Sequence, residues 1–182
     1  CIEPEVIRSV ADKIKIVYTP FNGTGNIPVR RVLSELGFEN VYVVKEQENP
    51  DPDFTTLDYP NPEDPKAFTY ALKLAKEKDA DIILATDPDA DRLGIYAKDA
   101  KTGEYVPFTG NMSAILIADY LLSRRQERGL LHSRNAEITK ADGKLGALVT
   151  TIVSTNMGRA LAKDFDIDYI ETLTGFKYIG EQ

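Results

Sequence analysis

Residues 13–37 read KIKIVYTPFNGTGNIPVRRVLSELG, and the period of their apolar residues changes once along the way. Lys13 to Thr19 holds Ile14, Ile16 and Tyr18 in alternation, with Val17 among them, the pattern of a largely buried strand. Phe21-Asn22-Gly23-Thr24-Gly25-Asn26 then forms a loop, and Pro28 suits a first helical turn. Val29, Val32, Leu33 and Leu36 fall at i, i+3, i+4 and i+7, which is one apolar stripe of a helix, and Gly37 is placed to end it. Strand, glycine loop and helix in succession predict a layered α/β unit.

The same grammar continues outward. Val41 to Val44 reads as a second strand. Residues 45–66 hold five of the ten prolines, Pro50, Pro52, Pro60, Pro62 and Pro65, and so predict an irregular connection. Phe68, Ala71, Leu72 and Ala75 restore the helical stripe, with Lys73, Lys76 and Lys78 toward the C-terminal end of the dipole. Asp81 to Thr86 is a strand with the core run Ile82-Ile83-Leu84-Ala85, and Leu93 to Ala97 another. Thr102-Gly103 turns into a third, Glu104 to Phe108, and these last strands are expected to be antiparallel. A boundary is placed near Pro107–Gly110. Beyond it, Met112 to about Arg125 is a helix apolar nearly all round, which predicts burial on several sides and puts Met112 in a core. Residues 126–144 are polar and basic, an exposed connection. Leu148 to Val153, then Met157, Ala160, Leu161 and Phe165, then Asp168 to Thr172 repeat strand, helix, strand, with Met157 read as core. The expected fold class is α/β: two consecutive layered α/β units with mixed sheets, residues 1–108 and 109–182, the second incomplete.

Bulk properties narrow the function. The 182 residues are 42% apolar and 28% charged, ordinary for a globular chain, and no apolar run approaches the roughly 20 residues of a membrane span. The net charge of −7 and a pI near 4.8 are the reverse of a general nucleic-acid binder. The only cysteine is Cys1, so no internal disulfide forms and a reducing cytoplasm is the expected compartment. A start at Cys1 within a helix-like stretch reads as a cut from a longer chain.

The segment that carries chemistry is Thr86-Asp87-Pro88-Asp89-Ala90-Asp91-Arg92. Three aspartates at alternate positions of a loop, directly after a buried strand, can converge on one point. Unneutralised, they repel and their pKa values rise. A hard divalent cation removes the conflict, and an oxygen-only donor set favours magnesium over zinc or copper. The plain alternative is a solvated acidic turn. A calcium EF-hand is disfavoured: its sixth position should be glycine and is Arg92, its twelfth should be glutamate and is Lys98, and the flanks are strands. Arg92 has two readings, a salt bridge to a neighbouring aspartate or a planar fork for phosphate oxygens.

Together with two further runs, this loop resembles the α-D-phosphohexomutases of the phosphoglucomutase/phosphomannomutase type. Asp87 to Arg92 is similar to their magnesium loop, Tyr18 to Gly25 to the opening of their second domain, and Thr172 to Gly180 to a segment of their third. The order and spacing agree, and the three span nearly the whole chain. The resemblance implies a four-domain enzyme whose phosphoserine phosphorylates a hexose phosphate, giving a bisphosphate that turns round and returns its other phosphoryl group. It implies Mg2+ held by Asp87, Asp89 and Asp91 and one phosphoserine oxygen, a phosphate contact at Arg92, and a lysine near the transferring group at Lys177. The partners it implies are a phosphorylated hexose and the other domains of a parent enzyme: the phosphoserine domain and a C-terminal phosphate-binding domain. Neither nucleic acid nor membrane is expected.

The chain departs from that family by omission. It has no Ser-His-Asn-Pro nucleophile loop, its one histidine lies in His-Ser-Arg-Asn at 132–135, and no Glu-Glu-Ser sugar loop follows Gly180. Two other functions stay open: a non-catalytic module that binds a divalent metal, and a haloacid dehalogenase-type phosphatase. The second wants Asp-x-Asp-x-Thr after its first strand, whereas here the fifth position is Asp91 and the loop follows later strands. Asn22 to Asn26 reads as a tight turn before a lining for phosphate, since Pro28 stands where a third glycine belongs. Lys177 has the alternative of a surface lysine on a final helix, His132 reads as an exposed loop residue, and Asp51 and Asp53 read as a solvated connection.

Overall fold

Strand β1 (Lys15–Thr19) is an interior strand of a five-stranded sheet of order β2-β1-β3-β4-β5. It pairs in parallel with both β2 (Asn40–Val43) and β3 (Ile82–Thr86), and all of Ile16 to Thr19 is buried. Flanked on both sides, such a strand needs the near-continuous apolar run it has. β4 (Leu93–Lys98) runs antiparallel to β3, and β5 (Tyr105–Phe108) antiparallel to β4. Pro107 sits on β5, an edge strand, where its missing N–H costs no ladder bond on the outer side. The computed structural model describes residues 2–133 and 146–182. The part of the expected 126–144 connection from residue 134 on, and Cys1, lie outside the described residues.

Helix α1 (Pro4–Val10) precedes β1, α2 (Asn26–Glu35) links β1 to β2, and α3 (Thr69–Lys78) leads into β3. Ala71 and Ala75 on α3 are fully buried, small enough to bring the helix close to the sheet. Phe68, just before α3, meets Phe21 edge to face at 5.5 Å and Tyr96 at 4.6 Å, and these rings join Val17, Ile83 and Ala85 in one core. Asp79 ends α3 in the left-handed conformation. The proline-rich stretch is irregular except for 3-10 turns at Lys45–Gln47 and Pro65–Phe68.

The chain divides into two compact units, Cys1–Gly110 and Asn111–Gln182. In the second, β6 (Ala147–Thr151) and β7 (Asp168–Thr172) form a parallel pair joined by α5 (Met157–Asp164); α4 (Gly110–Glu127) precedes them and the short α6 (Phe176–Gly180) follows. Leu122, Leu131, Ala162, Phe165 and Ile167 make its core. Both sheets carry helices, so the α/β class holds: the first sheet is mixed, and the second is parallel among the described residues.

Three expectations are corrected here. Met112 and Met157 are 47% and 62% exposed, not core. Helix α4 is not buried on several sides: Leu122 alone of its residues is buried, in a cluster with Leu131, Ala162, Phe165 and Ile167, while Leu116, Ile117 and Tyr120 are exposed. His132 is half-buried, and its carbonyl accepts a hydrogen bond from the Gly146 N–H at 2.7 Å. Among the described residues, no helix is long and apolar enough to cross a membrane.

Candidate metal centre

The loop Asp87–Arg92 joins β3 to its antiparallel neighbour β4. Because β3 is buried to its last residue, the loop starts inside the protein: Asp87 is only 1% exposed, whereas Asp89 and Asp91 face solvent. A turn closed by the Ala90 N–H on the Asp87 carbonyl, 3.0 Å, folds the chain back. One carboxylate oxygen from each of Asp87, Asp89 and Asp91 then lies within 4.8 Å of the others.

The turn needs Ala90 at φ 61°, a left-handed conformation that costs an L-residue about 1–2 kcal/mol. A β-branched side chain is least tolerated there. Ala90→Val is therefore expected to lose about 1–2 kcal/mol of stability while Ala90→Gly loses none, and urea midpoints of the two variants against the parent chain check this.

Arg92 closes the loop. Its main-chain N–H donates to Asp87 Oδ1 at 2.9 Å, and its Nε donates to Oδ2 at 2.7 Å. Burial pushes the Asp87 carboxyl up, but these two bonds and the guanidinium charge together outweigh burial and hold it below the usual carboxylate range. Asp91 moves the other way: the Asp89 charge, then its hydrogen bond with Asp87, push it up. The arginine thus supplies the partner a buried carboxylate requires, and like-charge conflict remains on the exposed side. Three carboxylate oxygens gathered around one point, with like-charge conflict between Asp89 and Asp91, could hold a hard divalent cation, and a carboxylate oxygen that accepts one bond from Arg92 has a second lone pair.

A support absent from the sequence reading comes from Asn22–Asn26. The Thr24 N–H and hydroxyl both donate to the Pro88 carbonyl, at 2.8 and 3.0 Å. A Cβ on Gly23 would stand 2.4 Å from Pro88 Cα, and one on Gly25 would stand 2.4 Å from Thr86 Oγ1 and 2.7 Å from the Tyr18 hydroxyl. Those two hydroxyls share a buried hydrogen bond of 2.9 Å. The Gly23 N–H is taken by the Pro20 carbonyl at 2.8 Å. The glycines let the β1–α2 turn press against the acidic loop, and the Gly23 and Thr24 amides are already satisfied within the protein. Asn61, in the proline-rich connection, accepts a bond from Arg92 Nη1 at 3.2 Å. Its signal in the sequence is slight: an asparagine held between Pro60 and Pro62. Asp51 caps its own turn, accepting from the Asp53 and Thr55 amides and the Thr55 hydroxyl.

Lys177 belongs to the other unit. It is exposed on α6, with its ammonium 4.6 Å from the centroid of the Tyr178 ring.

Residues 3–103 match the model of phosphoglucomutase/phosphomannomutase, alpha/beta/alpha domain II, and residues 109–182 that of alpha/beta/alpha domain III. The chain belongs to the phosphoglucomutase/phosphomannomutase family. A probable phosphomannomutase of Haemophilus influenzae is 37% identical over 174 residues, which cover 96% of this chain and 32% of that protein. A phosphoglucomutase of Staphylococcus aureus is 36% identical over 169 residues, 93% of this chain and 28% of that protein. The chain thus spans about a third of the length of these phosphohexomutase relatives. A crystal structure of a phosphoglucomutase/phosphomannomutase family protein from Burkholderia thailandensis superposes with a TM-score of 0.66, covering 99% of this chain and 35% of that one. At 19% identity that likeness speaks for the fold alone.

Proposed function

We propose that the chain is the domain II and domain III portion, residues 1–108 and 109–182, of a cytoplasmic, magnesium-dependent phosphohexomutase. The reaction proposed for the full-length protein interconverts hexose 1-phosphate and hexose 6-phosphate through a phosphoserine and a bisphosphate intermediate. The observation that carries this reading is the convergence of Asp87, Asp89 and Asp91 within 4.8 Å, with Arg92 bonded to the buried member, in a chain of this family. The three aspartates would hold Mg2+, since an all-oxygen set suits it. When bound, the ion lowers the cost of negative charge where a phosphoryl group is transferred.

The residues of this chain have separate tasks. Asp87 ties the loop to the end of β3 through Arg92. The exposed half of the Arg92 guanidinium is a fork for phosphate oxygens. Lys177 would hold charge or move a proton near the transferred group. The phosphoserine domain and the C-terminal phosphate-binding domain of the full-length protein would supply the nucleophile and the rest of the phosphate site.

The test is conversion of glucose 1-phosphate to glucose 6-phosphate by the full-length protein with Mg2+ and a trace of glucose 1,6-bisphosphate. Activity is expected there, and no turnover by residues 1–182 alone, which lack a Ser-His-Asn-Pro loop. Turnover by the 182-residue chain would sink the division of labour. Inactivity of the full-length protein on glucose, mannose, glucosamine and pentose phosphates, combined with tight metal binding, would support a non-catalytic metal module instead.

A further inference from the structure

Arg92 is a half-exposed side chain, its side-chain accessibility 49%, and an arginine in solvent samples many rotamers. Two contacts on different nitrogens of its planar fork arrest it. Nε is held by Asp87 at 2.7 Å and Nη1 by Asn61 Oδ1 at 3.2 Å. Nη2 lies between Nε and Nη1 on the guanidinium perimeter and carries two N–H donors. It has no hydrogen-bond partner among the described residues.

Asn61 is itself fixed. Its Oδ1 also accepts from the Glu63 N–H at 3.0 Å, so two donors converge on that atom and define the orientation of the amide. Its own N–H donates to the Tyr59 carbonyl at 2.8 Å, and its carbonyl accepts from the Asp64 N–H at 2.9 Å. Pro60 and Pro62 restrict the backbone on either side. The next residue, buried Pro62, presses on β4 two positions after Arg92: a Cβ on Gly94 would stand 2.7 Å from both the Pro62 carbonyl oxygen and its Cβ. The separation of Asn61 from Arg92 is therefore set by backbone packing as well as by one hydrogen bond. That is the arrangement that holds a binding group in place before its ligand arrives.

We infer that Asn61 is a positioning residue, which locks the Arg92 guanidinium so that its Nη2 edge is presented to the phosphate of a sugar phosphate. The inference rests on the phosphate-binding reading of Arg92. It assigns Asn61 no contact with substrate; its effect passes wholly through Arg92.

A double-mutant cycle in the full-length enzyme, read as kcat/KM for glucose 1-phosphate at saturating Mg2+, separates the two claims. Arg92→Lys keeps a cation beside buried Asp87 but removes the fork, and is expected to lower kcat/KM at least about thirtyfold. Asn61→Ala is expected to lower it about tenfold, the scale of one hydrogen bond to a charged group. In the Arg92→Lys background Asn61→Ala should add less than about twofold. Asn61→Asp, which retains the acceptor oxygen, should recover most of the loss. An equal loss from Asn61→Ala in both backgrounds would mark a structural role and overturn the inference, as would a full-activity Asn61→Ala. If Arg92→Lys were fully active, the phosphate role of Arg92 would fall, and this inference with it. A large loss from Arg92→Lys beside an inert Asn61→Ala would leave that role standing and remove only Asn61.

Discussion

Asp89→Asn in the full-length enzyme is expected to lower kcat/KM for hexose phosphate at least about a hundredfold, about 2.7 kcal/mol of transition-state stabilisation. Asp89 is exposed, so the substitution removes a carboxylate without opening a cavity or stranding a buried group. In this structure its principal effect is on a neighbour, since its charge is the foremost cause of the raised Asp91 pKa. A carboxyl whose pKa is raised on folding binds more protons folded than unfolded in the window between the two values. Its contribution to stability therefore declines as pH rises through that window. With the Asp89 charge gone, Asp91 ionises more readily and the metal-free protein becomes no less stable at neutral pH. The expected pair of results is opposite in sign: activity falls, while the thermal midpoint without metal holds or rises. Added Mg2+ should raise the midpoint of the parent chain and do so less in the variant, because a site with one carboxylate fewer would bind the ion more weakly and favour the folded state less by mass action. Melting curves with and without Mg2+ read both. A variant that loses activity because it unfolds would show a fall in the metal-free midpoint and would undercut the metal assignment.

Gly23→Ala is expected to have the largest effect of any single methyl addition near the site. The new Cβ would stand 2.4 Å from Pro88 Cα and 2.6 Å from the Pro88 carbonyl oxygen, all backbone, so no side-chain rotation relieves it. Gly23 is not at positive φ, so the test is of contact and not of backbone strain. The two loops must separate, and both Thr24 bonds to Pro88 go with them. A cost of about 2–3 kcal/mol is expected, the range of overpacking plus a lost hydrogen bond. Gly110→Ala, where nothing lies within 4 Å of the added Cβ, is the matched control. Urea unfolding of the three proteins measures the difference, and a Gly23→Ala midpoint equal to the control would show that the loops do not press together in solution.

Much of this was legible in the residues. The parallel core strands announced themselves because Ile16 to Tyr18 of β1 and Ile82 to Ala85 of β3 are near-continuous apolar runs, and α2 and α3 through a stripe at the helical period. The convergence of the acidic loop was legible because its three carboxylates come from one short run, so local spacing already contains their approach. What surrounds the loop was not. Thr24 and Asn61 reach it from distant parts of the chain, and nothing in Pro60-Asn61-Pro62 says which strand that segment will lie against. Gly23 and Gly25 were legible as a turn, but the reason for their smallness is an approach to Pro88 and Thr86 that only the sheet order creates. The α4 expectation failed for a related cause. Apolar composition gives the capacity for burial and leaves open which surface supplies it, and among the described residues only Leu122 of this helix finds a buried cluster to join.

The clamp between Thr24 and Pro88 also bears on how the molecule assembles. It joins positions 64 residues apart, and it sits at the ends of β1 and β3, whose parallel pairing spans a similar separation. Contacts of that range form late, after the entropy of closing a long segment has been lost. The three aspartates, in contrast, are neighbours in any conformation of the chain. A newly synthesised chain thus carries its carboxylates together from the start and acquires their final arrangement only when the two strands register. Any uptake of a divalent ion by the three carboxylates in their final arrangement would time the docking of β1 beside β3, and would be blind to the earlier appearance of the acidic turn.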